Sequence, residues 1–189
     1  IPGYFNGAAR GVLPPGDPHH FDRTRSKAFD KADVIVVIGT PFDFRMGYGK
    51  RISRELTLVQ IDLDYRTVGK NRDIDLGIVG DPGAVCAAVL QAASGRIKND
   101  KRQARRAWMK DLALQEDAAL EKLMPMFKSE QTPIHPYRVA WELNEFLTDD
   151  TIYIGDGGDV VTVSAQAVRP RSPGSWMDPG ALGSLGVGT

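Results

Sequence analysis

The chain of 189 residues has a single cysteine, no surplus of either charge and no long apolar run. Lone Cys86 excludes a disulfide scaffold and a cysteine-based zinc site, and its neighbours Ala84, Val85, Ala87 and Ala88 predict a packing role. Lys+Arg number 24 against 24 for Asp+Glu, so the basic surplus of a nucleic-acid binder is missing. No apolar stretch approaches the roughly 18 to 20 residues of a membrane span, which argues against a membrane partner. A basic segment followed by an apolar one is absent near Ile1, so no signal peptide is expected and the protein is placed in the cytoplasm. Because the chain opens on Ile1 rather than Met, it reads as a piece of something larger. The histidines do not suggest a metal site. His19 and His20 are adjacent and cannot share a helix face, and His135 lies between Ile134 and Pro136, so each is expected to be solvated or hydrogen-bonded locally. No serine sits in a nucleophile elbow, so a Ser-His-Asp hydrolase is not indicated.

What is present is the composition of a globular domain, 42% hydrophobic and 25% charged. Residues 21–32 place Phe21, Thr24, Ala28, Phe29 and Ala32 at helical spacing after Asp17-Pro18. The β-branched run Asp33-Val34-Ile35-Val36-Val37-Ile38-Gly39 predicts a strand buried on both faces of a parallel sheet. Residues 56–62 predict a second strand and 76–80 a short third. Residues 81–93 predict a helix with Asp81 at its N-cap and Pro82 in its first turn. Strands separated in this way imply right-handed βαβ units in an open, mostly parallel α/β sheet of Rossmann-like type.

The character changes from about residue 96 to 132. Arg96, Lys98, Lys101, Arg102, Arg105, Arg106 and Lys110 crowd one end, with Glu116, Asp117 and Glu121 further on. Trp108, Leu112, Leu120, Leu123 and Phe127 form a thin apolar stripe. The pattern favours a solvated helix linking two domains over a phosphate-binding patch, and Pro125 is expected to kink or end it. A second α/β unit follows. Residues 136–147 show helical spacing, 151–154 a strand, 155–159 a Gly-rich turn, and a helix runs on through about Val168.

Candidate chemistry lies in the loops. Gly39 and Thr40 open a glycine-bearing loop directly after a strand, where open α/β sheets collect ligands; the same glycines also suit a plain tight turn. Asp62 ends the next strand and can accept from a ribose or ribityl hydroxyl, or cap the following turn. Gly155-Asp156-Gly157-Gly158-Asp159 offers open backbone amides and a positive helix end to a diphosphate, or is an ordinary βα turn.

Taken in order, these segments resemble the thiamine-diphosphate enzymes of the acetolactate synthase group, which also includes oxalyl-CoA decarboxylase, 2-hydroxyacyl-CoA lyase and benzaldehyde lyase. The resemblance rests on Asn6-Gly7-Ala8-Ala9-Arg10-Gly11-Val12-Leu13-Pro14, Thr40-Pro41-Phe42-Asp43-Phe44-Arg45, Ile61-Asp62-Leu63-Asp64, Val68-Gly69-Lys70-Asn71 and Gly80-Asp81. It continues in Trp176-Met177-Asp178-Pro179-Gly180 and Gly183-Ser184-Leu185-Gly186-Val187-Gly188. It implies a middle domain at 1–95 lacking its N-terminal part, a helical linker at 96–132, and a truncated diphosphate-binding domain at 133–189.

By the same resemblance, Gly157, Gly158 and Asp159 approach the diphosphate of thiamine diphosphate. Gly183, Ser184 and Leu185 cradle its aminopyrimidine, with the Gly183 carbonyl accepting from the amine and Leu185 wedging the cofactor into its bent form. Gly39, Thr40, Asp62 and Asp81 are the contacts implied for FAD or ADP in the middle domain; the family's Arg-Phe-Asp-Asp-Arg run is matched only in part at 40–45. The activating glutamate and the Mg²⁺ motif of the family have no counterpart here, so no catalytic or metal-ligating residue is assigned and the segment alone is expected to be inactive. The implied activity of the parent enzyme is carboligation or decarboxylation of 2-oxo acids as in an acetolactate synthase, with cleavage of 2-hydroxyacyl- or oxalyl-CoA thioesters as the alternative. A non-catalytic FAD- or ADP-binding or structural domain is the reading of another class, and the implied assembly is a homodimer or homotetramer.

Overall fold

The computed structural model describes residues 1–96 and 101–186; Lys98 of the basic cluster and Val187, Gly188 and Thr189 of the C-terminal run lie outside them. In chain order the elements are β1 (Gly3–Tyr4), β2 (His20–Phe21), α1 (Arg25–Lys31), β3 (Val34–Ile38), β4 (Thr57–Asp62), β5 (Leu76–Val79), α2 (Pro82–Ala93), α3 (Arg102–Phe127), α4 (Pro136–Glu142), β6 (Tyr153–Ile154), α5 (Gly158–Ala167) and β7 (Trp176–Met177). The chain is α/β with open parallel sheets. It divides into two compact units, one of Ile1–Arg25 with Met109–Thr189 and one of Ser26–Trp108, the division falling within α3.

The unit of Ser26–Trp108 is built on a parallel sheet in the order β3-β4-β5. Ile35, Val37, Phe42, Ile52, Leu56 and Leu58 form its core, with Phe29, Ala32, Met46 and Ile74 packed against it. Buried Gln60 is satisfied inside the core: its amide nitrogen donates to the Thr67 carbonyl (3.3 Å) and its oxygen accepts from the Gly69 amide (2.8 Å). Those two bonds fasten the connection that leads to β5.

Three expectations for this unit are corrected. β3 is not buried on both faces: Ile35 and Val37 point into the core, whereas Val34, Val36 and Ile38 are 54%, 51% and 43% exposed. A strand run without alternation therefore does alternate in burial, because the core cluster packs on only one face. The connections between the strands also carry no α-helix. That from β3 to β4 holds a 3-10 segment, Phe44–Gly49, broken by Gly47 and Tyr48 at φ 56° and 53°, and capped by the Asp43 carboxylate. Cys86 is likewise exposed, since α2 buries none of its residues among those described.

The other unit carries two short parallel pairs, β1-β2 and β6-β7. Its core is Phe127, Ala140, Leu147, Ala167, Val168 and Trp176. Phe127 stacks on Trp141 with ring centres 4.6 Å apart, and Tyr153 on Trp176 at 4.8 Å. α3 ends at Phe127, two residues after Pro125, and Arg102, Arg105, Arg106 and Lys110 on it are exposed, the solvated arrangement the sequence favours.

Three boundaries move. The expected helix over 21–32 begins only at Arg25, because Phe21 pairs in β2 and the amides of Asp22, Arg23 and Thr24 are bound by the Glu116 carboxylate. α4 stops at Glu142 and passes into a 3-10 turn, Leu143–Glu145, where the Asn144 side chain donates to the Trp141 carbonyl. The strand at 151–154 starts at Tyr153, since Thr148 and Thr151 close a turn on each other.

Candidate cofactor site

β6 and β7 run parallel, Tyr153 opposite Trp176 and Ile154 opposite Met177. Their carboxyl ends therefore deliver two loops to the same edge: 155–157, which leads into α5, and 178–186. In open α/β sheets this is where ligands collect. The Gly155 amide donates to the Met177 carbonyl (2.9 Å), continuing the pairing one residue past the strands.

The two glycine-bearing segments singled out in the sequence meet there. The Asp156 carboxylate accepts from the Gly186 amide, at 2.8 Å to Oδ2 and 3.1 Å to Oδ1. Gly157 has φ 83°, and a Cβ at that position would lie 2.9 Å from Leu185 Cδ2. Gly183 adopts φ 60° and Gly186 φ 87°, backbone conformations that glycine reaches without strain. At the start of the second loop, Asp178 accepts from the Trp176 indole N–H and from the Gly180 amide, both at 2.7 Å. Leu182 and Leu185 are left 88% and 79% exposed beside this edge.

Gly157 stands at the N-cap of α5 and gives its first turn no side-chain cap. Exposed Gly158, with open space where a Cβ would stand, leaves the start of α5 approachable by an anionic group such as a diphosphate. Asp159 in the first turn and Asp156 add negative charge nearby, which a divalent cation accompanying the diphosphate would offset. Among the described residues no three His, Cys, Asp or Glu side chains gather as a metal site.

Gly39, Thr40, Asp62 and Asp81 come to the carboxyl edge of the other sheet. The Gly39 amide donates to the Ile61 carbonyl (2.8 Å) and the Gly80 amide to the Asp62 carbonyl (3.0 Å). Each polar side chain there has a local partner. Asp62 accepts from the Asp64 amide (2.9 Å), Asp81 caps α2 through the Ala84 amide (2.8 Å), and the Thr40 hydroxyl donates to the Ile38 carbonyl (3.4 Å). Of the two roles open to Asp62 in the sequence, turn capping is present in the structure. In the neighbouring loop Asp43 pairs with Arg45 (2.7 Å). Burial alone would raise the Asp43 carboxyl, but the hydrogen bonds and charge of Arg45 outweigh it and hold the group low.

Sequence reading missed the strongest polar cluster. Glu116 accepts from the amides of Asp22 (3.1 Å), Arg23 (2.9 and 3.0 Å) and Thr24 (3.0 Å), from the Thr24 hydroxyl (2.9 Å) and from the Arg23 guanidinium (3.3 Å). Beside it, Asp22 faces His20 (3.4 Å), Arg169 (3.6 Å) and Arg10 (3.9 Å). Burial pushes the Asp22 carboxyl up, but the His20 hydrogen bond and the charges of Arg169 and Arg10 bring it down to about 2. Burial lowers Arg169 to about 10, partly opposed by Asp22, and leaves it charged at neutral pH. A cavity of about 590 Å³, lined in part by Arg23, Arg169, Arg171, Trp141 and Asn144, adjoins this cluster; the glycine loops contribute none of its lining. His20 and His135 are locally bonded, His135 capping α4 through the Tyr137 amide (3.2 Å).

Residues 1–89 match the family model described as thiamine pyrophosphate enzyme, central domain. Over those residues the chain is similar to that central domain, and over its whole length it is similar to enzymes of two names. Among its relatives, bovine 2-hydroxyacyl-CoA lyase 2 is 35% identical over 197 residues, covering 100% of this chain and 30% of that protein. The human protein of the same name is 34% identical with the same coverage. The acetolactate synthase large subunit IlvG of Mycobacterium tuberculosis is 33% identical over 188 residues, covering 100% of this chain and 33% of its own length. The chain thus spans about a third of the length of these relatives. No helix among the described residues is long and apolar enough to cross a membrane.

Proposed function

We propose that this chain supplies the central domain and the opening of the diphosphate-binding domain of a thiamine-diphosphate- and Mg²⁺-dependent enzyme. In this reading the middle domain is 1–95, the helical linker 96–132 and the diphosphate-binding part 133–189. One observation carries it: the Gly-rich turn and the 183–186 loop, distant in sequence, converge at the carboxyl ends of β6 and β7. The amides of Gly157 and Gly158 would hold the diphosphate, with Asp159 beside them. Gly183, Ser184 and Leu185 would hold and bend the aminopyrimidine. When bound, thiamine diphosphate supplies the electron sink for making or breaking a carbon–carbon bond next to a carbonyl; the chain supplies orientation and exclusion of water.

Two reactions fit the relatives. Acetolactate synthases are named for making acetolactate, and 2-hydroxyacyl-CoA lyases for cleaving a 2-hydroxyacyl-CoA. The identities, 33% and 35%, do not separate them. Calorimetric titration and thermal shift with thiamine diphosphate and Mg²⁺ on the protein that carries this chain test the cofactor assignment; absence of both binding heat and stabilisation would sink it. Turnover of pyruvate beside a 2-hydroxyacyl-CoA thioester then decides the reaction, and sedimentation tests the expected homodimer or homotetramer. Convergence of Gly39, Thr40, Asp62 and Asp81 at one sheet edge supports ADP or FAD there. Flavin absorbance in the purified protein would support FAD, and a colourless, nucleotide-free preparation would favour an empty, structural domain.

A further inference from the structure

We propose that Asp156 is a positioning residue that holds the 183–186 loop against the start of α5, so that both halves of the cofactor cradle are assembled before any ligand arrives. The inference rests on the cofactor reading above and concerns this chain's own residues. A Gly-rich loop has little reason to adopt one conformation, since glycine loses more backbone freedom on ordering than any other residue. Here the segment after β7 is tied at both ends by carboxylates. Asp178 takes the Gly180 amide and the Trp176 indole near the strand. Asp156, thirty residues away in sequence, takes the Gly186 amide with both oxygens. Between these ties lie the 3-10 turn Gly180–Leu182 and Gly183 in the left-handed region.

Asp156 is placed for this task by the sheet and not by the loop. It follows β6 by two residues, and the Gly155 amide on the Met177 carbonyl fixes the backbone just before it. Its neighbour Gly157 leaves room for Leu185 Cδ2, which occupies space beside the position a Cβ would take. One residue therefore couples the turn expected to hold a diphosphate to the loop expected to hold an aminopyrimidine.

The test is amide hydrogen exchange of the protein that carries this chain, read at Gly186, for the wild type, Asp156→Ala and Asp156→Asn. Asp156→Ala is expected to speed Gly186 exchange by at least about tenfold, with Gly180 and Val161 amides unchanged, because only the local tie is lost. Asp156→Asn keeps one acceptor oxygen and is expected to recover most of the protection. Unchanged Gly186 exchange in Asp156→Ala would overturn the proposal, and so would equal acceleration at Gly180 and Val161, which would mark general loosening. Repeating the wild-type measurement with thiamine diphosphate and Mg²⁺ separates the two ideas. Extra protection at Gly186 supports the cofactor reading and its absence counts against that reading, whereas the role of Asp156 stands or falls with the two variants.

Discussion

Replacing Glu116 by alanine tests how the unit of Ile1–Arg25 and Met109–Thr189 is held together. Its carboxylate, 16% exposed, is the acceptor for backbone amides at 22, 23 and 24, the Thr24 hydroxyl and the Arg23 guanidinium. Thr24 is 2% exposed and the Arg23 side chain 8%, so these donors have little water to turn to. A buried donor stripped of its partner costs about 1 to 3 kcal/mol, and breaking a buried charge pair about 3 to 5 kcal/mol. The donors share one acceptor and relax together, so the costs do not add, and we expect Glu116→Ala to lose about 3 to 5 kcal/mol. Glu116→Gln keeps one oxygen but turns an amide NH₂ toward the remaining donors, so it should fall between alanine and the wild type. Urea unfolding followed by tryptophan fluorescence reads the loss as a lower midpoint. The deficit should persist in about 0.5 M salt, because a buried contact is screened much less than an exposed pair. A loss below about 1 kcal/mol for alanine, or full tolerance of glutamine, would refute the reasoning.

Asp22 sets an acid limit. Its folded pKa of about 2 lies below the ordinary 3.8, so it contributes about 2 kcal/mol above pH 4 that is lost as pH falls from 4 toward 2. Asp22→Asn should flatten that limb of an acid-unfolding profile, and an unaltered limb would exclude Asp22 as its source. Gly11→Ala should be the costlier of two glycine substitutions at φ 87°, because its Cβ would sit 2.3 Å from the Ser172 carbonyl whereas Gly16 faces open space. Thermal melts should show Gly16→Ala losing about 1 kcal/mol and Gly11→Ala at least twice that. Cys86, exposed on α2, should react with a thiol reagent in native buffer as fast as in denaturant; strong native protection would contradict its placement.

Much of this architecture is visible in the residue order where cause and effect are local. The β-branched run at 34–38, the Asp81 cap with Pro82 behind it, and the apolar spacing of α5 depend on neighbours a few residues away. Burial of β3 is less legible, because a uniformly apolar strand does not announce which face the core will take. The two-residue strand β7 is missed for a different reason: Trp176 and Met177 become a strand only by pairing with Tyr153 and Ile154. Glu116 is the clearest loss. Its partners are backbone amides, which any sequence at 22–24 supplies, so no side-chain complement marks the site. The one available sign was a glutamate on the apolar stripe, four residues after Leu112 and four before Leu120, facing the direction of the buried Leu112.

Carboxylates and glycines share one logic in the 155–186 region. Glycine permits the left-handed turns at 157, 183 and 186, and the same freedom would leave those turns unordered in an isolated loop. Asp156 and Asp178 remove that freedom at the two ends while keeping backbone amides and exposed Leu182 and Leu185 available at the sheet edge. Ordering through side-chain-to-amide bonds leaves the surface open in a way that filling it with bulky side chains would not. A loop so tied binds a ligand without meeting the full entropic cost of closure at that moment. The start of α5, with Gly157 buried and Gly158 exposed, follows the same rule. A side-chain cap there would satisfy the first-turn amides internally, and the absence of one leaves them as donors for an anion.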